Sequence, residues 1–223
     1  AAAGLRQISD ELVEDFERHM RLMGKERYRR LREEYDLDAE LKEDFCFTDQ
    51  ALNEVADRVF CLKSALPPKG RIAYGLLPVA VKKQVDELTA YLLEHVPELK
   101  KLRSDYVESK MKMAYLYGGS EEDLEDQRNR FEDEADRMIA NRILGMVKTL
   151  NRLDDEGRMA EYREGQKKFY MEQMLIELLD TLSSQADRGR RQYEDLKKAW
   201  GGELSREARR ELYLKYQDKG YEH

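Results

Sequence analysis

Apolar residues recur at three- and four-residue steps along most of this chain, the spacing that gathers them on one face of a helix. Ser9 suits the N-cap of a first helix, ahead of Asp10, Glu11 and Leu12. Leu12, Phe16, Met20 and Met23 form its inner row, and Lys25, Arg29 and Glu33 occupy its polar face. A second helix is predicted from Thr48 or Asp49, with Leu52, Val55, Val59 or Phe60, and Leu62 or Leu66 turned inward. The stretch 36–47 between them has room for one short helical turn. A third helix runs through Val81, Val85, Leu88 and Leu92 to about His95. A fourth continues through Leu99, Leu102, Tyr106 and Met113 to Tyr117, where Gly118-Gly119 stops it.

Ser120 followed by Glu121, Glu122 and Asp123 is a helix-start signal, with acids at the positive end of the helix dipole. The helix it opens extends to about Leu153, before Asp154-Asp155-Glu156-Gly157 breaks it. The next pattern spans Arg158 to Trp200. Within it Leu175, Leu179, Leu182, Ala186, Gly189, Tyr193, Leu196 and Trp200 alternate three- and four-residue steps, a coiled-coil-like seam. Gly201-Gly202 ends this pattern, and Ser205 caps a last short helix holding Leu212, Leu214 and Tyr216.

Proline placement divides the chain. Pro67, Pro68, Pro78 and Pro97 are its four prolines, so long proline-free stretches lie on either side, as long helices require. Residues 1–66 read as an N-terminal helical region, 67–77 as a Pro/Gly elbow, and 78–223 as a helical bundle, with one continuous domain as the alternative. The expected fold is all-α: an elongated helical bundle with a long C-terminal antiparallel helical hairpin, coiled-coil-like in its seam.

Composition sharpens this picture. Of 223 residues, 39% are charged against 41% hydrophobic, enough apolar material for a core and far more charge than the usual quarter. Such a balance fits a thin, elongated, soluble shape. A net charge of −7 speaks against nonspecific nucleic-acid binding, which needs clustered Lys and Arg. No apolar run approaches the length of a membrane span, and the N-terminus shows no signal-peptide pattern. Methionine removal or cleavage of a targeting peptide would each leave Ala1 first. Cys46 and Cys61 are expected to be buried, reduced thiols, consistent with a reducing compartment such as the cytoplasm or an organelle interior.

Candidate chemistry concentrates between Glu121 and Arg137. Nine acids (Glu121, Glu122, Asp123, Glu125, Asp126, Glu132, Asp133, Glu134 and Asp136) face three arginines, a net of −6. A field this concentrated steers and orients a basic partner. The expected partner-binding residues are Glu121, Glu122, Glu125, Asp126, Glu132, Asp133 and Asp136. Other features read as weaker: the basic run Lys25 to Arg32, the Arg188-Gly189-Arg190-Arg191 patch, and an exposed elbow loop with Lys69, Arg71 and Tyr74. Either basic patch would complement the acidic segment of another copy in a homo-oligomer. His19, His95 and His223 are far apart and lack a Glu-x-x-His neighbour, which removes a ferritin-like di-iron site. No cofactor motif occurs.

The spacing Glu121-Glu122-x-x-Glu125 is similar to the E-E-x-x-E form of all-α nucleotide pyrophosphohydrolases of the MazG and dimeric dUTPase type. That resemblance implies Mg²⁺ on those three carboxylates and a second acidic pair on a neighbouring helix. Here the next acids, Glu132 and Asp136, fall on the same predicted helix. The expectation is therefore a non-enzymatic scaffold, adaptor or assembly chaperone that binds another protein through helix faces and the acidic segment. The metal-dependent hydrolase is the alternative.

Overall fold

The structure is a computed structural model that describes residues 18–20, 22–31, 33, 47–117, 120–162, 166–200, 205, 207–208 and 210–211. The regular structure among them is helical, with no strand. Helical residues 22–31 are α1 here, followed by α2 (Asp49–Ala65), α3 (Val79–His95), α4 (Pro97–Tyr117), α5 (Glu121–Asp155), α6 (Met159–Glu161) and α7 (Lys167–Trp200). The all-α expectation holds. The Ser9 cap, the turn within 36–46, Cys46 and the short helix around Leu212 to Tyr216 lie outside the described residues.

Local signals set the helix ends. The Thr48 hydroxyl accepts from the Ala51 amide at 3.1 Å and caps α2. Pro78 precedes α3, and Pro97 opens α4 directly after Val96 closes α3 with a bond from its amide to the Leu92 carbonyl. At Ser120 a complete capping box forms: the Asp123 amide donates to Ser120 Oγ at 3.1 Å, and the Ser120 amide donates back to the Asp123 carboxylate at 3.3 Å. α5 ends in a Schellman arrangement, with Arg158 N–H on the Leu153 carbonyl and Gly157 N–H on the Asp154 carbonyl. Gly157 takes φ +70°, a value that glycine adopts without strain. Beyond α7, the predicted Ser205 cap is also present, accepting from the Ala208 amide at 3.2 Å.

Two apolar clusters organise the packing. The larger one joins Tyr28, Leu52, Val55, Val59 and Leu62 from before the elbow to Val85, Leu88, Ile143, Val147, Leu175 and Leu179 from after it. The smaller one is built from α4, α5 and α7 alone: Tyr106, Val107, Met111, Ala114, Phe131, Ala135 and Ala186. The broad core thus gives way to a three-helix stalk. Cross-helix contacts give the directions within it. Arg103 pairs with Asp136 and Glu108 with Arg128, so α4 and α5 are antiparallel. Asp105 meets Arg190 and Lys112 lies over the Tyr193 ring, so α4 and α7 are parallel.

Of the predicted seam of α7, Leu175, Leu179, Leu182, Ala186, Gly189 and Leu196 are buried and Tyr193 is half-buried. In the stalk its partner is α4. At Gly189 a side chain would stand 2.6 Å from Ser109 Oγ, so the missing Cβ is what lets the two helices approach. α5 and α7 run in opposite directions and touch, yet the principal contact of each within the stalk is α4. One expectation fails outright: Cys61 is exposed, because it falls off the Leu52, Val55, Val59, Leu62 row that α2 buries.

Candidate functional site

The acidic segment forms the N-terminal half of α5, on the outside of the stalk. Two neighbouring rows of that helix hold all seven expected partner-binding residues. One row steps through Glu122, Asp126, Asp133 and Arg137, all exposed. The same row continues as Ala140, Leu144, Val147 and Asn151, all buried. A single helical face therefore changes from solvated charge to packed core within one turn, between Arg137 and Ala140, where the helices before the stalk begin to cover it. The second row holds Glu121, Glu125, Glu132 and Asp136, exposed at its start and half-buried at its end.

The nine carboxylates divide by what they touch. Asp123 serves the capping box. Glu134 accepts from the Tyr106 hydroxyl at 3.0 Å and lies 3.7 Å from Arg130. Asp136 accepts both Arg103 Nε and Nη2, at 2.7 and 3.1 Å, a fork that fastens α5 to α4. This bond raises the Arg103 pKa further, against the opposing effect of burial. The other six, Glu121, Glu122, Glu125, Asp126, Glu132 and Asp133, have no salt-bridge partner among the described residues. The three arginines of the segment are drawn elsewhere. Arg128 donates to Glu108 at 2.6 Å and to the Tyr115 hydroxyl at 3.0 Å, both on α4. Arg130 leans toward Glu134, and Arg137 packs under the Tyr74 ring at 4.0 Å.

That last contact brings the elbow to the acidic face. The elbow holds a single 3-10 turn, Tyr74–Leu76, anchored by buried Ile72 and Leu77. Tyr74 also donates its hydroxyl to Asp86 at 2.8 Å, which with the Asp86 charge raises the Tyr74 pKa. Leu76 and Val79 remain 67% and 85% exposed beside this anchored ring. At the other end of the acidic rows, Tyr115 and Leu116 are exposed near the end of α4. Sequence reasoning named Lys69, Arg71 and Tyr74 but missed Leu76 and Val79. The available signal was charge: from Arg58 to Val85 the chain carries six Lys and Arg and no Asp or Glu.

Among the described residues, no three His, Cys, Asp or Glu side chains are placed to hold a metal ion together. Glu121, Glu122 and Glu125 share one exposed helix end, and Glu132 and Asp136 continue along that same helix. The basic run in α1 is largely spent on internal pairs, Arg27 with Asp180 at 3.0 Å and Arg29 with Glu26. Arg190 of the second basic patch pairs with Asp187 and Asp105. No described helix is long and apolar enough to cross a membrane. No family model, curated protein or solved structure matches this chain.

Proposed function

We propose that the protein is a non-enzymatic helical scaffold, adaptor or assembly chaperone that docks another protein on the acidic rows of α5. One observation carries the reading: six carboxylates without salt-bridge partners stand on a capped helix, while the arginines that would neutralise them are held by other groups. Within this segment of about 18 Å, at 1.5 Å per residue, the charges are fixed in spacing before any partner arrives. Such preorganisation favours a basic, amphipathic element and reduces the ordering cost of binding. The mechanism is electrostatic orientation along α5, with apolar contact supplied at its two ends.

The test is a capture experiment comparing the native chain with one carrying Glu121→Gln, Glu122→Gln, Glu125→Gln, Asp126→Asn, Glu132→Gln and Asp133→Asn. A basic amphipathic helix of designed sequence serves as bait, at low and high salt. Native protein is expected to bind in a salt-sensitive manner and the neutralised chain to lose that binding. Equal, salt-insensitive binding by both would remove the acidic rows from any docking role.

A further inference from the structure

Of the six cations from Arg58 to Lys83, on and beside the elbow, Arg58 pairs with Glu54 at 2.8 Å and Lys63 with Asp154 at 3.0 Å. Lys69, Arg71, Lys82 and Lys83 have no salt-bridge partner among the described residues; Lys82 only overlies the Tyr74 ring at 5.7 Å. These four flank Leu76 and Val79, the two most exposed large apolar side chains of the described residues. α3 starts here with no side-chain cap and no acid in its first turn, so its amide end adds to the positive field. The surface thus presents an exposed apolar pair with two cations before it and two after it in the chain, on a turn held by Ile72, Leu77 and the Tyr74–Asp86 hydrogen bond.

We propose that the occupant of this elbow is the acidic tip of α5 from a second copy of the chain, with the contact made twice about a twofold axis. The inference rests on the docking role given above to the acidic rows and names their partner. Charge complementarity carries it: four cations near Leu76 and Val79 in the chain, and six carboxylates along the rows that begin near Tyr115 and Leu116, have no salt-bridge partner among the described residues. Placement carries it further. Tyr74 on Arg137 puts the elbow at one end of the rows, and Glu122 lies 15 residues away (137 − 122), about 22 Å along the helix. Two such faces set antiparallel bring the elbow of each copy to the acidic tip of the other. That arrangement is self-complementary, as a twofold interface must be, and it closes without leaving a free end for a filament.

The experiment is sedimentation of the purified full chain over a range of concentrations, at low and high salt. A dimer that weakens with salt is expected. Two charge reversals follow, Lys82→Glu with Lys83→Glu on the elbow, and Glu122→Lys with Asp126→Lys on the rows. All four positions are at least partly exposed, and circular dichroism checks that each variant stays folded. Each reversal alone is expected to weaken the dimer at least about tenfold. An equimolar mixture of the two variants is expected to recover a one-to-one dimer, because both of its elbow–tip contacts are again of opposite sign.

A chain that stays monomeric, a dimer indifferent to both reversals, or a mixture that fails to recover overturns the proposal. So does a monomer that floats with phosphatidylserine vesicles and loses this on Leu76→Asp and Val79→Asp, since the elbow would then face an anionic bilayer. A monomer that still captures the basic helix through its carboxylates overturns the twofold dimer and leaves the docking function standing.

Discussion

Replacing Gly189 by alanine measures how closely α4 and α7 are drawn together. An ideal Cβ at this position would lie 2.6 Å from Ser109 Oγ and 3.3 Å from Ser109 Cβ. Carbon atoms in good contact sit at about 3.5–4.0 Å, so something must move. Ser109 is buried and donates its hydroxyl to the Tyr106 carbonyl at 2.7 Å. Rotating it away leaves a buried hydroxyl without that bond, a loss of about 1–3 kcal/mol. Separating the helices instead is overpacking, which costs a similar ~1–3 kcal/mol. Alanine's better helix propensity returns about 1 kcal/mol. The expected net loss is therefore about 1 kcal/mol, between roughly 0 and 2. In a Ser109→Ala background the 2.6 Å clash is gone, and the propensity gain is left with only a mild Cβ–Cβ approach to offset it. Urea denaturation of the four proteins gives the coupling. We expect the double variant to be more stable than additivity predicts by about 1 kcal/mol or more. Strict additivity would refute the close approach of α4 and α7 and the role of Gly189 in it.

Three further outcomes are expected. Ser120→Ala removes one arm of the capping box and should lower stability by about 1 kcal/mol, with faster amide exchange confined to the first turn of α5; unchanged exchange there would contradict the cap. Tyr162 is buried with a hydroxyl that has no hydrogen-bond partner among the described residues, and burial, helped by the Asp57 charge, pushes its pKa up from 10.0 to about 12. Its folded pKa lies above the unfolded one, so its contribution is constant below pH 10 and is lost as pH rises from there toward 12. Tyr162→Phe should remove a decline on the order of 2 kcal/mol over that window and cost nothing at pH 7, as followed by denaturation across pH. A clear destabilisation at pH 7 would mean that the hydroxyl has a partner after all. Millimolar Mg²⁺ or Mn²⁺ should leave the melting temperature where an ionic-strength control leaves it; a rise of several degrees that disappears when Glu121, Glu122 and Glu125 are neutralised would establish a metal site there, the first requirement of the hydrolase alternative.

What could be read from the sequence was local. Thr48, Ser120 with Asp123, and Gly157 each act within a few residues, and each marks the boundary it predicts. The rows of α2, α3 and α7 were equally legible, because periodicity identifies which face is buried. Periodicity does not say what buries it. α4 carries one row through Leu99, Leu102, Tyr106 and Met113 and another through Val107, Met111 and Ala114, so it can be covered on two sides at once. The second row was present in the sequence, and it marks α4 as the middle helix of the stalk. The carboxylates show the same division. Their density was plain, but Asp136 is tied down by Arg103 and Glu134 by Tyr106, partners 33 and 28 residues away. The elbow's position beside the acidic rows depends on Tyr74 meeting Arg137, a contact between positions 63 apart (137 − 74). Cys61 misled by residue type, since cysteine is usually buried and this one sits off its helix's inner row.

The parallel pairing of α4 with α7 imposes an order of events on synthesis. α4 and α5 can close on each other as soon as both have left the ribosome, since Glu108 and Arg128 are only 20 residues apart. Ser109 and Gly189 are 80 residues apart (189 − 109), so the other side of α4 stays open until nearly all of α7 has emerged. At about 5–20 residues per second, that leaves several seconds during which Ser109 and its apolar neighbours face water. The nascent two-helix stalk therefore offers a sticky strip that the finished protein hides, and folding yield should depend on the pace at which residues 167–196 are delivered.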